Sequence, residues 1–327
     1  MIRLAAPIVL APLAGGPSTP ELAAAVSNAG GLGFVAAGYL TAAALRERIE
    51  RTRALTTAPI GVNVFVLHER QVDGAAVDAY VRELEPEAAA HGVQLGAPHY
   101  DDDELEAKLD LLVHSGVEVV STTFGCLPAE EVERLQRSGI ELWATVTSRE
   151  EARAARDAGV DALVVQGAEA GGHSGTWTAA GEATPLLELL GAIDAGLPLV
   201  AAGGIADRAG AAAALAAGAQ AVQAGTAFLR SPEAGTNASH RAALRRAGTT
   251  AFTRAFTGQP ARGIVNRFMR EHPNAPAAYP YIHHVTAPLR AAARERGDSG
   301  GINLWAGINF TQARELPAAE IVGLLGA

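Results

Sequence analysis

Residues Val164–Trp177 read VVQGAEAGGHSGTW. The apolar run Ala162–Val165 ends in a glutamine, and a glycine-rich loop with a single histidine, His173, follows. This is the layout of a buried strand whose carboxyl end opens into a loop. Glycine lets backbone pass flat against a bound ring or phosphate. Histidine is the side chain best suited to moving a proton near neutral pH. Two more glycine punctuations follow strand-like runs, Val200–Ile205 (VAAGGI) and Val222–Phe228 (VQAGTAF). Together the three outline a cofactor cradle with one acid/base residue over it.

Outward from this stretch, eight short apolar runs alternate with amphipathic helical stretches. The runs are Ile8–Ala11, Gly33–Ala36, Ile60–Val64, Val117–Ser121, Leu142–Val146, Ala162–Gln166, Leu199–Ala202 and Ala221–Ala224. Most are near-continuous, as expected of parallel strands buried on both faces. Between them, Thr19–Asn28, Arg149–Ala158 and Arg208–Ala217 read as helices closed by Gly30, Gly159 and Gly218, the last with Asp207 as N-cap. The pattern predicts an α/β chain built as a (β/α)8 TIM barrel. An open doubly wound sheet is disfavoured: no G-x-G-x-x-G opens a helix after an early strand, and Gly30–Gly33 has the wrong spacing. The reading places the barrel in residues 1–229, with an insertion at about 65–102. Residues 230–327 read as a smaller, mostly helical C-terminal lobe or lid, with prolines at 260, 273, 276, 280 and 288. A return to the barrel near 303–327 is left open.

The bulk numbers exclude several function classes. The 327 residues are 49% hydrophobic and 19% charged, enough for a large core. A net charge of −9 with no basic run argues against nucleic acid. The single cysteine, Cys126, allows no disulfide within the chain and fits a reducing, cytoplasmic setting. The opening MIRLAAPIVLAPLAGG is broken by proline and glycine, so it reads as a first strand rather than a signal peptide. No apolar run approaches the ~20 residues that span a bilayer. Lys108 is the only lysine and lies in the polar stretch Asp103–Ser115, which disfavours Schiff-base and pyridoxal-phosphate chemistry. A small-molecule substrate is expected, and a homodimer is left open.

In (β/α)8 barrels the site sits at the carboxyl ends of the strands, often with a phosphate pocket after strands seven and eight. Here those ends are Gly203-Gly204 and Gly225-Thr226. Their N–H groups and the start of the next helix would cradle an anion, although the same glycines would also serve two tight turns. Asn63, Gln166 and Gln223 lie on or end strands three, six and eight. An amide suits the polar edge of a flavin ring, and each alone is as able to bond backbone. Cys126 follows the fourth strand with no histidine nearby to activate it. His283-His284 lack metal-ligand spacing with a third ligand, and Asp101–Glu104 reads as a helix start; no metal site is expected.

These residues resemble the nitronate monooxygenase family, formerly 2-nitropropane dioxygenases. The resemblance runs through APLAGG, SNAGGLGFVAAGY, GVNVF, VVSTTFG, VVQGAEAGGHSG, VAAGGIADRAG and VQAGTAFL, with a weaker NLWAG at Asn303–Gly307. It implies an FMN-dependent barrel in which Asn63, Gln166, Gly171, Gly172, Gly203, Gly204, Gln223, Ala224, Gly225 and Thr226 hold FMN. Ala11, Pro12 and Leu13 would lie along the ring. It further implies oxidation of alkyl nitronates such as propionate 3-nitronate by O2 to a carbonyl compound and nitrite, with His173 as the base for neutral nitroalkanes. The chain departs from the family at Thr122-Thr123 and at Ile308 after WAG, which bears on the substrate pocket. The alternative is an NAD(P)H-dependent flavin reductase acting on a quinone or enoyl thioester; Gln166-Gly167 before EAGGH favours the monooxygenase. A non-redox barrel isomerase, lyase or flavin-binding module is the third reading. The physiological substrate does not follow from the sequence.

Overall fold

The computed structural model describes residues 1–178 and 183–326. Eight parallel strands follow one another around a barrel: Ile8–Leu10, Gly33–Ala36, Ile60–Phe65, Val119–Thr123, Glu141–Val146, Ala162–Gln166, Leu199–Ala202 and Ala221–Ala224. The first pairs with the eighth, Ile8 opposite Val222, and the bridge Val9–Leu32 joins it to the second, closing the circle. All eight runs read from the sequence are strands, each within two residues of its expected start and end.

Alternation explains why both faces of a strand are apolar. Val9, Phe34, Val119, Trp143, Val164 and Val200 fill the barrel interior, and Met1, Ile2 and Leu4 pack against them. Their neighbours Ile8, Leu10, Leu163 and Val165 point the other way, into the layer between sheet and helices. Helix Pro20–Asn28 starts at Thr19, whose hydroxyl accepts from Leu22 N. Helix Arg208–Ala216 starts at Asp207, whose carboxylate accepts from Gly210 N. Both follow the expected capping rule.

Outside the barrel residues 230–326 are mostly helical, as expected, with a small sheet added to the helices. Residues 230–327 also hold strands Thr250–Thr253 and Ala261–Ile264, which pair antiparallel with each other and with the two-residue strand Gly172–His173. These strands lack an apolar run, and a partner far away in the chain defines them. In the 65–102 stretch, helix Gly74–His91 packs on helix Tyr281–Glu295. A second core joins Val77, Tyr80 and Leu84 to Phe256, Ile282 and Val285. Pro288 lies inside the second helix and cannot donate to the His284 carbonyl. Gly96 approaches at that point, where a Cβ would lie 2.1 Å from the freed oxygen.

The acidic run precedes a helix, as expected, but Lys108 is not on a polar surface. Helix Leu105–Val113 begins after Asp103 and Glu104, both in left-handed backbone. Lys108 is fully buried; its Nζ lies 2.7 Å from Asp103 Oδ2 and donates to the Ala37 carbonyl. Asp103 in turn accepts from Tyr39 N, and Glu104 accepts from Ala42 N at the start of helix Ala42–Leu55. The acidic run therefore anchors the loop after the second strand. No helix among the described residues is long and apolar enough to cross a membrane.

Removing one partner of a buried ion pair strands the other charge. Lys108→Met is expected to lower stability by about 3 kcal/mol, read as a drop in the urea midpoint at pH 7. Adding Asp103→Asn should recover part of it; a single variant as stable as the parent would show the pair to be dispensable.

Candidate active site

The loop after the sixth strand carries the candidate base, and three side chains hold it. Gln166 Oε1 accepts from Gly175 N at 2.6 Å, while its Nε2 donates to the His173 carbonyl at 3.2 Å. Glu151 accepts from Trp177 N at 2.8 Å. Arg262 Nε donates to the Ala168 carbonyl at 2.8 Å while its guanidinium sits over the Phe252 ring. Pairing with Ala261 and Arg262 then makes Gly172–His173 the edge of the lobe's small sheet. His173 is thus held by backbone at both ends of its peptide and is no free loop residue.

The His173 ring is fixed as firmly. Its Nε2 lies 2.9 Å from Thr257 Oγ1, and the ring packs among Phe124, Tyr279 and Trp305 at centroid distances of 5.8, 5.7 and 5.5 Å. The Thr257 hydroxyl has the Gln259 carbonyl as its own acceptor at 3.4 Å. With its hydrogen on that carbonyl, the Thr257 oxygen accepts from Nε2–H, the tautomer in which Nδ1 is unprotonated. Nδ1 makes no hydrogen bond among the described residues. Burial, reinforced by the Arg290 charge, pushes the His173 pKa down to about 3, so the imidazole is neutral near pH 7.

This ring faces a cavity of about 400 Å³ at the carboxyl end of the barrel. Ala11–Leu13, Asn63, Gln166, Gly171–His173, Gly203-Gly204 and Gln223–Thr226 all line it. Their free valences differ. Gln223 makes no side-chain hydrogen bond among the described residues, so its whole amide is available. Asn63 donates to Ser121 and Thr123, and its Oδ1 makes no hydrogen bond among the described residues. Gln166 spends both ends of its amide on its own loop. Gly204 sits at φ +67°, where a side chain is strained.

A segment from the chain's far end completes the wall. Gly307 N donates to Thr226 Oγ1 at 3.0 Å, and Asn309 Nδ2 donates to the Gly204 carbonyl at 2.7 Å. Gly171 admits this segment: a Cβ there would lie 2.3 Å from Gly307 N. Two cavity residues, Tyr39 and Phe124, hold left-handed backbone at φ 68° and 73°, costly for aromatic residues and met at functional sites.

The model of the family described as nitronate monooxygenase matches residues 1–326. The chain belongs to the nitronate monooxygenase family. It is 41% identical to a nitronate monooxygenase of Pseudomonas aeruginosa, over 99% of this chain and 96% of that one. It is 40% identical to one of Paraburkholderia phytofirmans, over 98% and 91%. Among solved structures it is similar to a nitroalkane oxidase from Streptomyces ansochromogenes, with a TM-score of 0.95 and 49% identity over 98% of this chain and 94% of that one. The chain is an oxidoreductase.

Within this family frame several expectations shift. Of the departures, Thr123 lines the cavity; Thr122 donates to the Gly125 carbonyl and Ile308 is exposed, and neither lines it. Cys126 does not line the cavity, and burial raises its thiol pKa to about 11. His283 does line it, stacked on Tyr39 at 4.2 Å. His99, Asp101 and His284 each bring one ligand atom within 4.8 Å of the others, a third partner that sequence spacing did not show; the two imidazoles stack at 3.8 Å. Sequence reading did not single out Tyr39, Phe124, Thr257, Arg290 or Asn309 in the wall. The motifs SNAGGLGFVAAGY and VVSTTFG run through Tyr39 and Phe124, and NLWAG ends two residues before Asn309, but nothing local marks Thr257 or Arg290.

Gly171→Ala is expected to cost at least ~2 kcal/mol and to speed amide hydrogen exchange in residues 303–309. Unchanged exchange in that segment would show that the close approach does not hold it.

Proposed function

We propose that this chain oxidises alkyl nitronates by O2 to a carbonyl compound and nitrite, with FMN in the cavity, and that His173 removes the α-proton when the substrate is a neutral nitroalkane. The observation that carries this reading is His173: a half-buried neutral imidazole, its Nε2 on Thr257, in the wall of the cavity that holds the glycine turns. A proton α to a nitro group is acidic, so one well-placed base suffices.

The cavity suits FMN on two counts. The unspent Gln223 amide and Asn63 Oδ1 offer a donor–acceptor set for the polar edge of a flavin ring. The turns at Gly203-Gly204 and Gly225-Thr226 would take the phosphate on backbone N–H groups beside the helix starting at Arg208. Ala11–Leu13 would lie along the ring. Bound FMN would supply the redox chemistry.

The protein's own part is acid–base and positional. Nδ1 takes the α-proton, and the imidazolium formed pairs with the new nitronate anion beside it, which offsets its desolvation. Thr257 keeps the ring from flipping the wrong nitrogen forward. Phe124, Tyr279 and Trp305 exclude water from the ring.

His173→Asn should keep FMN and lose at least ~100-fold in kcat/KM on nitroethane, while oxidation of preformed ethyl nitronate survives. Equal rates of variant and parent on nitroethane would sink the base assignment. Purified Gly204→Asp is expected to contain little FMN, because a carboxylate would face the phosphate; full occupancy by absorbance would refute the cradle. An anaerobic flavin spectrum unmoved by nitronate but bleached by NAD(P)H would favour a reductase.

A further inference from the structure

Helix Tyr281–Glu295 turns two consecutive histidines to different surroundings. His283 lines the cavity. His284, about 100° further round the helix, does not line it and meets residues 96–101 instead. That segment is pinned at two points. Gly96 N donates to the Val285 carbonyl at 3.1 Å, and Tyr100 Oη donates to the Leu67 carbonyl at 3.3 Å. Pro98 stiffens the backbone between them.

The polar residues that meet there are His99, Asp101 and His284, each with one ligand atom within 4.8 Å of the others. His99 Nδ1 donates to the Ala97 carbonyl at 2.9 Å, so the neutral ring keeps its lone pair on Nε2. A bond of this kind from the second ring nitrogen is what fixes the tautomer of metal-bound histidines. Asp101 Oδ1 accepts from Asp103 N at 2.6 Å, and Asp101 Oδ2 lies 3.9 Å from His284 Nε2. That nitrogen is buried and has no hydrogen-bond partner among the described residues. The His99 and His284 rings stack at 3.8 Å, so they cannot aim at one point until a ring turns. Ligands about 2 Å from one zinc ion sit roughly 3.4 Å apart. The triad therefore needs only a small closing movement, which the exposed His99 ring supplies by leaving the stack.

We propose that His99, Asp101 and His284 form a binding site for a divalent transition-metal ion of the zinc type, with water completing the shell on the exposed side. Two imidazoles and one carboxylate suit zinc, whereas magnesium and calcium prefer oxygen ligands. The ion would staple residues 96–101 to helix Tyr281–Glu295. It would take no direct part in chemistry at His173, because none of its three ligands lines the cavity. The site goes beyond the nitronate-oxidising reading and does not depend on it.

The test uses the purified full chain, treated with EDTA and then freed of the chelator. Calorimetric titration with zinc chloride should show a site that is lost in the variants below, and zinc at a hundredfold excess over Kd should raise Tm by about 4 °C. His99→Gln, Asp101→Asn and His284→Gln should each weaken zinc binding by at least ~10-fold. Asp101→Asn keeps the oxygen that accepts from Asp103 N, and His99 is exposed, so both variants should melt with the parent when no zinc is present. Magnesium chloride should leave Tm unchanged. Absence of zinc binding to the parent would refute the site. Zinc binding as tight in all three variants as in the parent would place the ion on other histidines and overturn the proposal. A magnesium-induced rise equal to that with zinc would overturn the imidazole ligation.

Discussion

The pairing of Gly172–His173 with Ala261–Arg262 is the contact on which the site depends. It is only two residues long, yet it joins the loop after the sixth barrel strand to a sheet of residues far along the chain. Through it His173 takes its position from the lobe, while the glycine turns take theirs from the barrel. Arg262 tightens the seam by reaching back to the Ala168 carbonyl. Thr257, close to the same strand, fixes the ring. Residues 1–229 and residues 230–326 both shape the cavity around His173, and neither does so alone.

The polar groups around this seam fall into two kinds. Gln166, Glu151 and Thr226 are consumed by backbone and hold the loops in shape. Among the described residues Gln223, Asn63 Oδ1 and His173 Nδ1 make no hydrogen bond, and all three residues line one cavity. Polar atoms that the protein leaves unpaired are met by water or ligand, so this grouping marks where a ligand would complete the bonding. The charge follows the same rule, since the described residues of the wall include no aspartate or glutamate in an acidic chain.

Strain gathers at this end of the barrel as well. Tyr39 and Phe124 hold left-handed backbone beside the cavity, and Asp103, itself in that conformation, secures the Tyr39 amide through the buried Lys108 pair. A structure over-determined by such contacts can maintain costly backbone where it serves to aim an aromatic ring.

The sequence by itself determined the barrel and most of one wall of the site. Runs such as Ala162–Gln166 and Leu199–Ala202 are apolar on both faces because both faces are buried, and that leaves a local signature. Glycine turns after them, and a histidine in the loop, are equally local. The lobe strands Thr250–Thr253 and Ala261–Ile264 left no such trace, because nonlocal pairing defines them. Lys108 lies in a stretch that reads as polar, and its burial follows from pairing with Asp103 across a turn that the acidic run itself shapes. Arg290, Tyr39 and Thr257 lie in segments far apart in the chain; nothing in their spacing says that they share a cavity. Periodicity reports which face of an element is buried, and only tertiary packing decides what that face meets.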